Sequence, residues 1–218
     1  MIAAFIVLAV VVLVVSYVRN PVRLLRERMI KTERRQIAAV SEGAAARVVG
    51  AVRPGETLTA PLSGRTCVLY EAIVEEQRSN GKTSHWHQVI REVRGVPFAI
   101  EDGSGHALVD PTHAQLLIEK DSTSRSGSFD DATEVEASFL ARHGISSKGW
   151  FFNKAMRYRE GVLEVGETVA VVGLAVREPD PDGAARMSGY REGPPTRLRL
   201  SGSAQAPLAI SDVDSVKG

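Results

Sequence analysis

The first eighteen residues, MIAAFIVLAVVVLVVSYV, constrain this chain more than any other stretch, because they carry no charge and a single serine. As a helix, Met1–Val18 spans about 27 Å at about 1.5 Å per residue, close to the ~30 Å hydrocarbon core of a bilayer. A cleaved signal peptide needs Lys or Arg before the apolar run and a small-x-small cleavage site after it. Neither is present, so residues 1–19 are expected to be a permanent transmembrane anchor. The basic residues come afterwards: Arg19, Arg23, Arg26, Arg28, Lys31, Arg34 and Arg35, against only Glu27 and Glu33. By the positive-inside rule this predicts a single-pass protein with its N-terminus out and its C-terminal domain cytoplasmic.

Asn20-Pro21 reads as an N-cap followed by proline in the first helical turn. Val22, Leu25, Met29, Ile37 and Val40 recur about every third or fourth residue, with one gap and with arginines between them, which predicts an amphipathic stem over 20–42. Such a stem can lie on anionic lipid headgroups, at roughly 1 kcal/mol per nearby basic residue. Equally, the arginines can serve only to fix topology while the stem packs on the domain. The bilayer and its anionic headgroups are therefore the first expected partners.

Beyond Glu42-Gly43 the chain changes to short apolar runs punctuated by Gly, Pro, Asn and Asp. Strands are expected at Arg47–Val52, Cys67–Gln77, His85–Val93, Pro97–Glu101, Ala107–Val109, Thr168–Val176, Arg197–Leu200 and Leu208–Ser211. That spacing favours a mainly β fold, a sandwich or partly open barrel, over a parallel α/β sheet. One inserted helix is expected where Thr133-Glu134-Val135-Glu136 resembles a capping signal and Gly144 occupies a C-terminal glycine position. The β-rich domain then runs over 43–212, with exposed, mobile loops at 120–131 and 178–195 and a tail at 213–218.

Asn80-Gly81 between two β-rich runs is a hairpin signal, since both central residues of a type I′ turn need positive φ. A two-residue loop pairs Ser79 with Lys82, Glu76 with His85, Val74 with His87 and Ala72 with Val89. It puts Val68, Tyr70, Ala72, Val74, His87, Val89 and Val93 on the core face, and Cys67 on the other. Cys67 is the chain's one cysteine. A thiol nucleophile needs a base within reach, usually His, and this register turns His85 and His87 away from it. Cys67 is therefore expected to be a small packed residue. His85 and His87 share a strand face as zinc ligands do, but no third ligand is indicated, and PDPDG within 178–195 lacks the remaining ligands of a calcium loop.

Glu101-Asp102-Gly103-Ser104-Gly105 has the glycines of a phosphate loop but no following helix, so a turn is expected. No G-x-S-x-G, Walker or H-E-x-x-H motif occurs. The net charge of +1 argues against nucleic acid as a partner. No catalytic residue, metal site or cofactor is assigned.

The order of several segments resembles the GIDE, or "beside a membrane", domain. Pro61-Leu-Ser-Gly-Arg-Thr-Cys67 with Tyr70 is similar to its start. Pro97-Phe98, Glu101-Asp102-Gly-Ser-Gly105 and Val109-Asp110-Pro111, then Phe139-Leu140 through Gly144-Ile145, are similar to its middle. Arg157-Tyr-Arg-Glu160-Gly-Val-Leu163 with Gly166-Glu-Thr-Val-Ala-Val-Val-Gly173 is similar to its end, so the resemblance covers roughly residues 45 to 176. That domain occurs in membrane-anchored E3 ubiquitin ligases, where a C-terminal RING finger supplies catalysis through zinc-bound cysteines and a histidine, and in shorter prokaryotic relatives. No cysteine follows Gly173 here, so the resemblance implies a RING-less relative that binds or scaffolds an unknown protein. Two alternatives stand beside it: a ubiquitin-type ligase component working with a separate RING partner, and an enzyme with a dispersed site that includes Glu160, Asp110 or a histidine.

Overall fold

The structure, a computed structural model, describes residues 20–126, 132–145, 155–180 and 196–218. The expected anchor at 1–19 lies outside the described residues, and among those described no helix is long and apolar enough to cross a membrane. The fold is mainly β. Its strands are β1 (Ala45–Pro54), β2 (Leu58–Thr59), β3 (Thr66–Cys67), β4 (Leu69–Ser79), β5 (Ser84–Gly95), β6 (Phe98–Glu101), β7 (His106–Val109), β8 (Gln115–Leu117), β9 (Ser122–Ser126), β10 (Met156–Leu163), β11 (Thr168–Pro179), β12 (Thr196–Ser201) and β13 (Ala209–Ser211). Two α-helices, α1 (Pro21–Lys31) and α2 (Glu134–Arg142), and two short 3₁₀ turns, Ile37–Ala39 and Asp214–Val216, complete the described elements.

Strand pairings close a ring. β1 pairs with β6, β6 with β7, β7 with β12, β12 with β11, and β11 returns to β1. Inside this partly closed barrel pack Val48, Val52, Phe98, Ile100, Leu198 and Leu200, all at most 2% exposed. A second, four-stranded antiparallel sheet runs β5-β4-β10-β9. One of its faces is roofed by α2, whose Phe139 and Leu140 meet Tyr70, Val74, Met156 and Tyr158. The α2 ends fall where local chemistry puts them: Thr133 and Glu136 form a reciprocal capping box, and Gly144 lies beyond the helix at φ 72.

The stem also packs on the domain. Asn20 Oδ1 accepts from the Val22 and Arg23 amides and starts α1. Leu25 and Met29 are buried against Val49, Ala170, Val172 and Val216 on the outside of the barrel, and Ile37 and Val40 join the barrel cluster. The helix stops at Lys31, however, because the chain then pairs edgewise with β1: Arg35 N–H donates to the Arg47 carbonyl at 2.9 Å, and Arg47 N–H to that of Glu33 at 3.1 Å.

Two expectations are corrected. The hairpin loop has four residues, Asn80 to Thr83, so Ser79 pairs with Ser84 and Glu76 with His87. The Asn80 side chain accepts from the amides of Lys82 and Thr83 and from the Thr83 hydroxyl, and only Gly81 takes positive φ. A bulge at Val74/Glu75 then shifts the register once more, so Val74 faces Ile90 and Ala72 faces Glu92. Past the bulge the combined shift is odd, which exchanges the faces of β5 from Ile90 onward, while His85 and His87 keep theirs. Ile90 is buried, while Val93 is 40% exposed. The second correction concerns the loop expected at 120–131, of which Ser122–Ser126 is a strand bound to β10; 127–131 lie outside the described residues. Of the loop at 178–195, Glu178 and Pro179 end β11, and 181–195 lie outside.

Candidate functional site

The basic residues after the apolar run divide into engaged and unengaged groups. Arg23 and Lys31 both pair with Glu27, at 2.6 and 3.7 Å, and Arg35 pairs with Glu33 at 2.7 Å. Arg34 Nη1 donates to the Lys217 carbonyl at 3.1 Å. The Arg26 and Arg28 side chains find no partner among the described residues, and Arg19 lies outside them. Much of the positive charge therefore braces the stem, and Arg26 is left exposed beside Val22 and Ile30.

Cys67 is fully buried among Tyr70, Ala72, Phe139 and Val162. Burial, reinforced by the Glu160 charge, pushes its thiol up to about 11. A neutral, enclosed thiol is a packing residue. His85 and His87 are exposed, and no group of three His, Cys, Asp or Glu suited to a metal exists among the described residues.

A concave surface lies where the β2–β3 turn approaches α2. The turn is closed by Gly64 N–H donating to the Ala60 carbonyl at 3.0 Å, with Gly64 at φ 72. Glu160, 1% exposed on β10, holds it from below: Oε1 accepts from Leu62 N–H at 2.8 Å and Oε2 from Ser63 N–H at 2.9 Å. Arg65 anchors its far side through Glu164 at 2.6 Å and Asp121 at 3.2 Å. Behind the turn a cavity of about 200 Å³ is lined by Ser122, Ser124, Tyr158, Glu136 and Glu160. Glu136 is already engaged, accepting from the Ser124 hydroxyl at 2.5 Å and the Thr133 amide at 2.8 Å. Both acids therefore serve to hold the turn and the helix.

In front of the turn a groove of about 640 Å³ separates Pro61–Gly64 from α2. Tyr70 and Phe139 lie within it, Glu134, Val135 and Ser138 form the helical wall, and Arg94 and Arg142 bring positive charge. Its walls are braced by a network: Tyr70 OH donates to Glu92 Oε1 at 2.5 Å, and Glu92 Oε2 meets His143 Nε2 at 2.7 Å. Burial, with donation to Glu92, raises the Tyr70 phenol. Burial works to raise Glu92 too, but hydrogen bonds from Tyr70 and His143 prevail and lower it. Ser63 and Ser138 line the groove, and His143 is bonded to neither. Such a surface suits an apolar side chain against Leu62 and Val135 and a carboxylate near Arg142 and Arg94, the latter also 3.3 Å from Glu92. The Tyr70–Glu92–His143 network was hidden from sequence by the assumed register; the observed pairing of Ala72 with Glu92 is what brings it together.

These features define a mainly β domain in which a partly closed barrel carries a helix-roofed sheet. The chain matches the family model GIDE, described as E3 ubiquitin ligase, over residues 70–192, and it belongs to that family. The match includes Tyr70, Arg94 and α2; the turn at Pro61–Gly64 lies just before it. Neither the curated proteins nor the solved structures gave a match.

Proposed function

We propose that this protein is a membrane-anchored, non-catalytic binding or scaffold domain, with residues 1–19 in the bilayer and the domain at 43–212 on the cytoplasmic side. The observation that carries this reading is the groove between the Pro61–Gly64 turn and α2. It is a fixed surface whose buried carboxylates are spent on its own architecture, and its partner is a protein segment with an apolar and an acidic side chain. The family's description favours a second reading, in which the chain works within a ubiquitin-ligase pathway alongside a separate RING partner.

The test is affinity capture with the tagged full chain from its native membranes, compared with Arg94→Glu and Ser138→Trp. A partner lost with both variants supports the groove, and one retained equally by both contradicts it. Ubiquitin transfer by the purified chain with only E1 and E2 enzymes contradicts the non-catalytic reading.

A further inference from the structure

The face of the four-stranded sheet away from α2 is basic. Antiparallel register sets Arg91 and Arg159 either side of Ile73, and Arg157 beside Glu75. The Arg157 guanidinium lies 4.5 Å from the Trp86 ring centroid and that of Arg125 5.9 Å. This face forms one wall of a groove of about 610 Å³, whose other walls are the start of α1 and the segment Ala114–Ile118.

The lining is apolar at one end and cationic at the other. Pro21, Val22, Leu25, Ile73 and Leu116 make the apolar part, and Arg91, Lys120 and Arg159 the cationic part. Two acids of the same sheet face lie beside them, Glu71 and Glu75. Glu71, 8% exposed at its side chain, is met by Lys120 Nζ and by Arg91 Nε at 2.5 and 2.6 Å. Burial works against ionisation of Glu71, but these two cations prevail and lower it. Lys120 is thereby occupied. Arg91 spends only Nε, so both its Nη groups have no partner among the described residues, and Arg159 is 3.6 Å from Glu75.

The position of this groove identifies its occupant. The N-terminal residues outside those described end at Arg19, two before Pro21 at the groove's apolar end, and the first eighteen of them carry no charge. We infer that the groove takes one anionic phospholipid, its phosphate at Arg91 and Arg159 and the first part of one acyl chain along Val22, Leu25 and Ile73. The volume accommodates a headgroup and part of one chain, with the remainder in the bilayer. A phosphate beside an arginine fork gains charge-assisted, directional hydrogen bonds, and a zwitterionic lipid brings a competing positive charge. The bound lipid would fix how the sheet is held against the membrane. This inference rests on the anchored reading, but its test does not require the anchor.

The full chain in detergent micelles is titrated with dioctanoyl-phosphatidylglycerol, dioctanoyl-phosphatidylcholine or glycerol 3-phosphate, and bound ligand is read by native mass spectrometry. Two basic groups near an anionic lipid correspond to about thirtyfold tighter binding of the glycerol lipid than of the choline lipid. Arg159→Ala and Gln88→Glu, the latter adding negative charge at an exposed position in the groove, should each weaken the glycerol lipid about fivefold at unchanged melting temperature. If Arg159→Ala lowers that temperature, Gln88→Glu alone decides. Equal binding of the two lipids, glycerol 3-phosphate binding as tightly as the lipid, or no effect of Gln88→Glu overturns the inference. Extraction of the chain from membranes by alkaline carbonate would instead contradict the anchor.

Discussion

Replacing Glu160 by Gln tests whether the groove wall is held as described. The carboxylate is 1% exposed and accepts one backbone N–H on each oxygen, at 2.8 and 2.9 Å. Glutamine keeps one acceptor and turns its amide N–H₂ toward the other backbone N–H, so one bond is lost and the survivor loses its charge. Hydrogen bonds to charged groups are worth about 1.5–3 kcal/mol, and a buried orphaned donor costs about 1–3 kcal/mol. Removing a buried charge offsets part of that loss. A net destabilisation of about 2–3 kcal/mol follows, and for a chain of this size each kcal/mol moves Tm by about 2–4 °C. The full chain in detergent should therefore melt roughly 4–12 °C lower, with Glu160→Ala further down. Hydrogen exchange supplies the local readout: the Leu62 and Ser63 amides should exchange faster under native conditions, while β11 in the barrel stays protected. Unchanged melting, with unchanged exchange at 62 and 63, would refute the clamp.

Three other perturbations probe the rest of the account. Met29→Ala, at a fully buried stem position, should cost about 2–4 kcal/mol and speed protease cleavage near Arg34-Arg35, while Ile30→Ala at 48% exposure should stay within about 0.5 kcal/mol; equal effects would contradict stem docking. Burial pushes the Asp212 carboxyl up to about 6, so its stabilising contribution is complete below about pH 4 and lost as pH rises through 6. Asp212→Asn, which retains an acceptor for the Glu119 amide, should then be about 1–2 kcal/mol more stable at pH 7.5 with the gap closing below pH 4; a pH-independent difference in melting would contradict it. Cys67 should resist maleimide in the folded chain and react on denaturation, and labelling at the rate of a free thiol would contradict its burial.

What was legible in the sequence was local chemistry. Thr133, Glu136 and Gly144 mark α2 because capping involves atoms within one helical turn, and Asn20-Pro21 marks the start of α1 for the same reason. The β-rich composition gave the fold class. The hairpin register was not legible, because the Asn80 side chain reorganises the loop and nothing in the composition announces the bulge at Val74/Glu75. Ser122–Ser126, a polar stretch that reads as a loop, is a strand because β10 offers it an edge. The groove was illegible for a related reason: Ala60–Gly64, Arg94 and α2 are distant in sequence and meet only through the long-range pairing of β4 with β5 and β10.

Docking of a partner protein in the groove beside α2 is read by photo-crosslinking in intact cells. A photoreactive residue is placed at Val135, 48% exposed on the groove wall, and in a parallel chain at Leu174, 47% exposed on β11 of the barrel. A discrete protein adduct is expected from position 135 that disappears with Arg94→Glu, and none from position 174. No adduct at 135, or the same adduct from both positions, would contradict it.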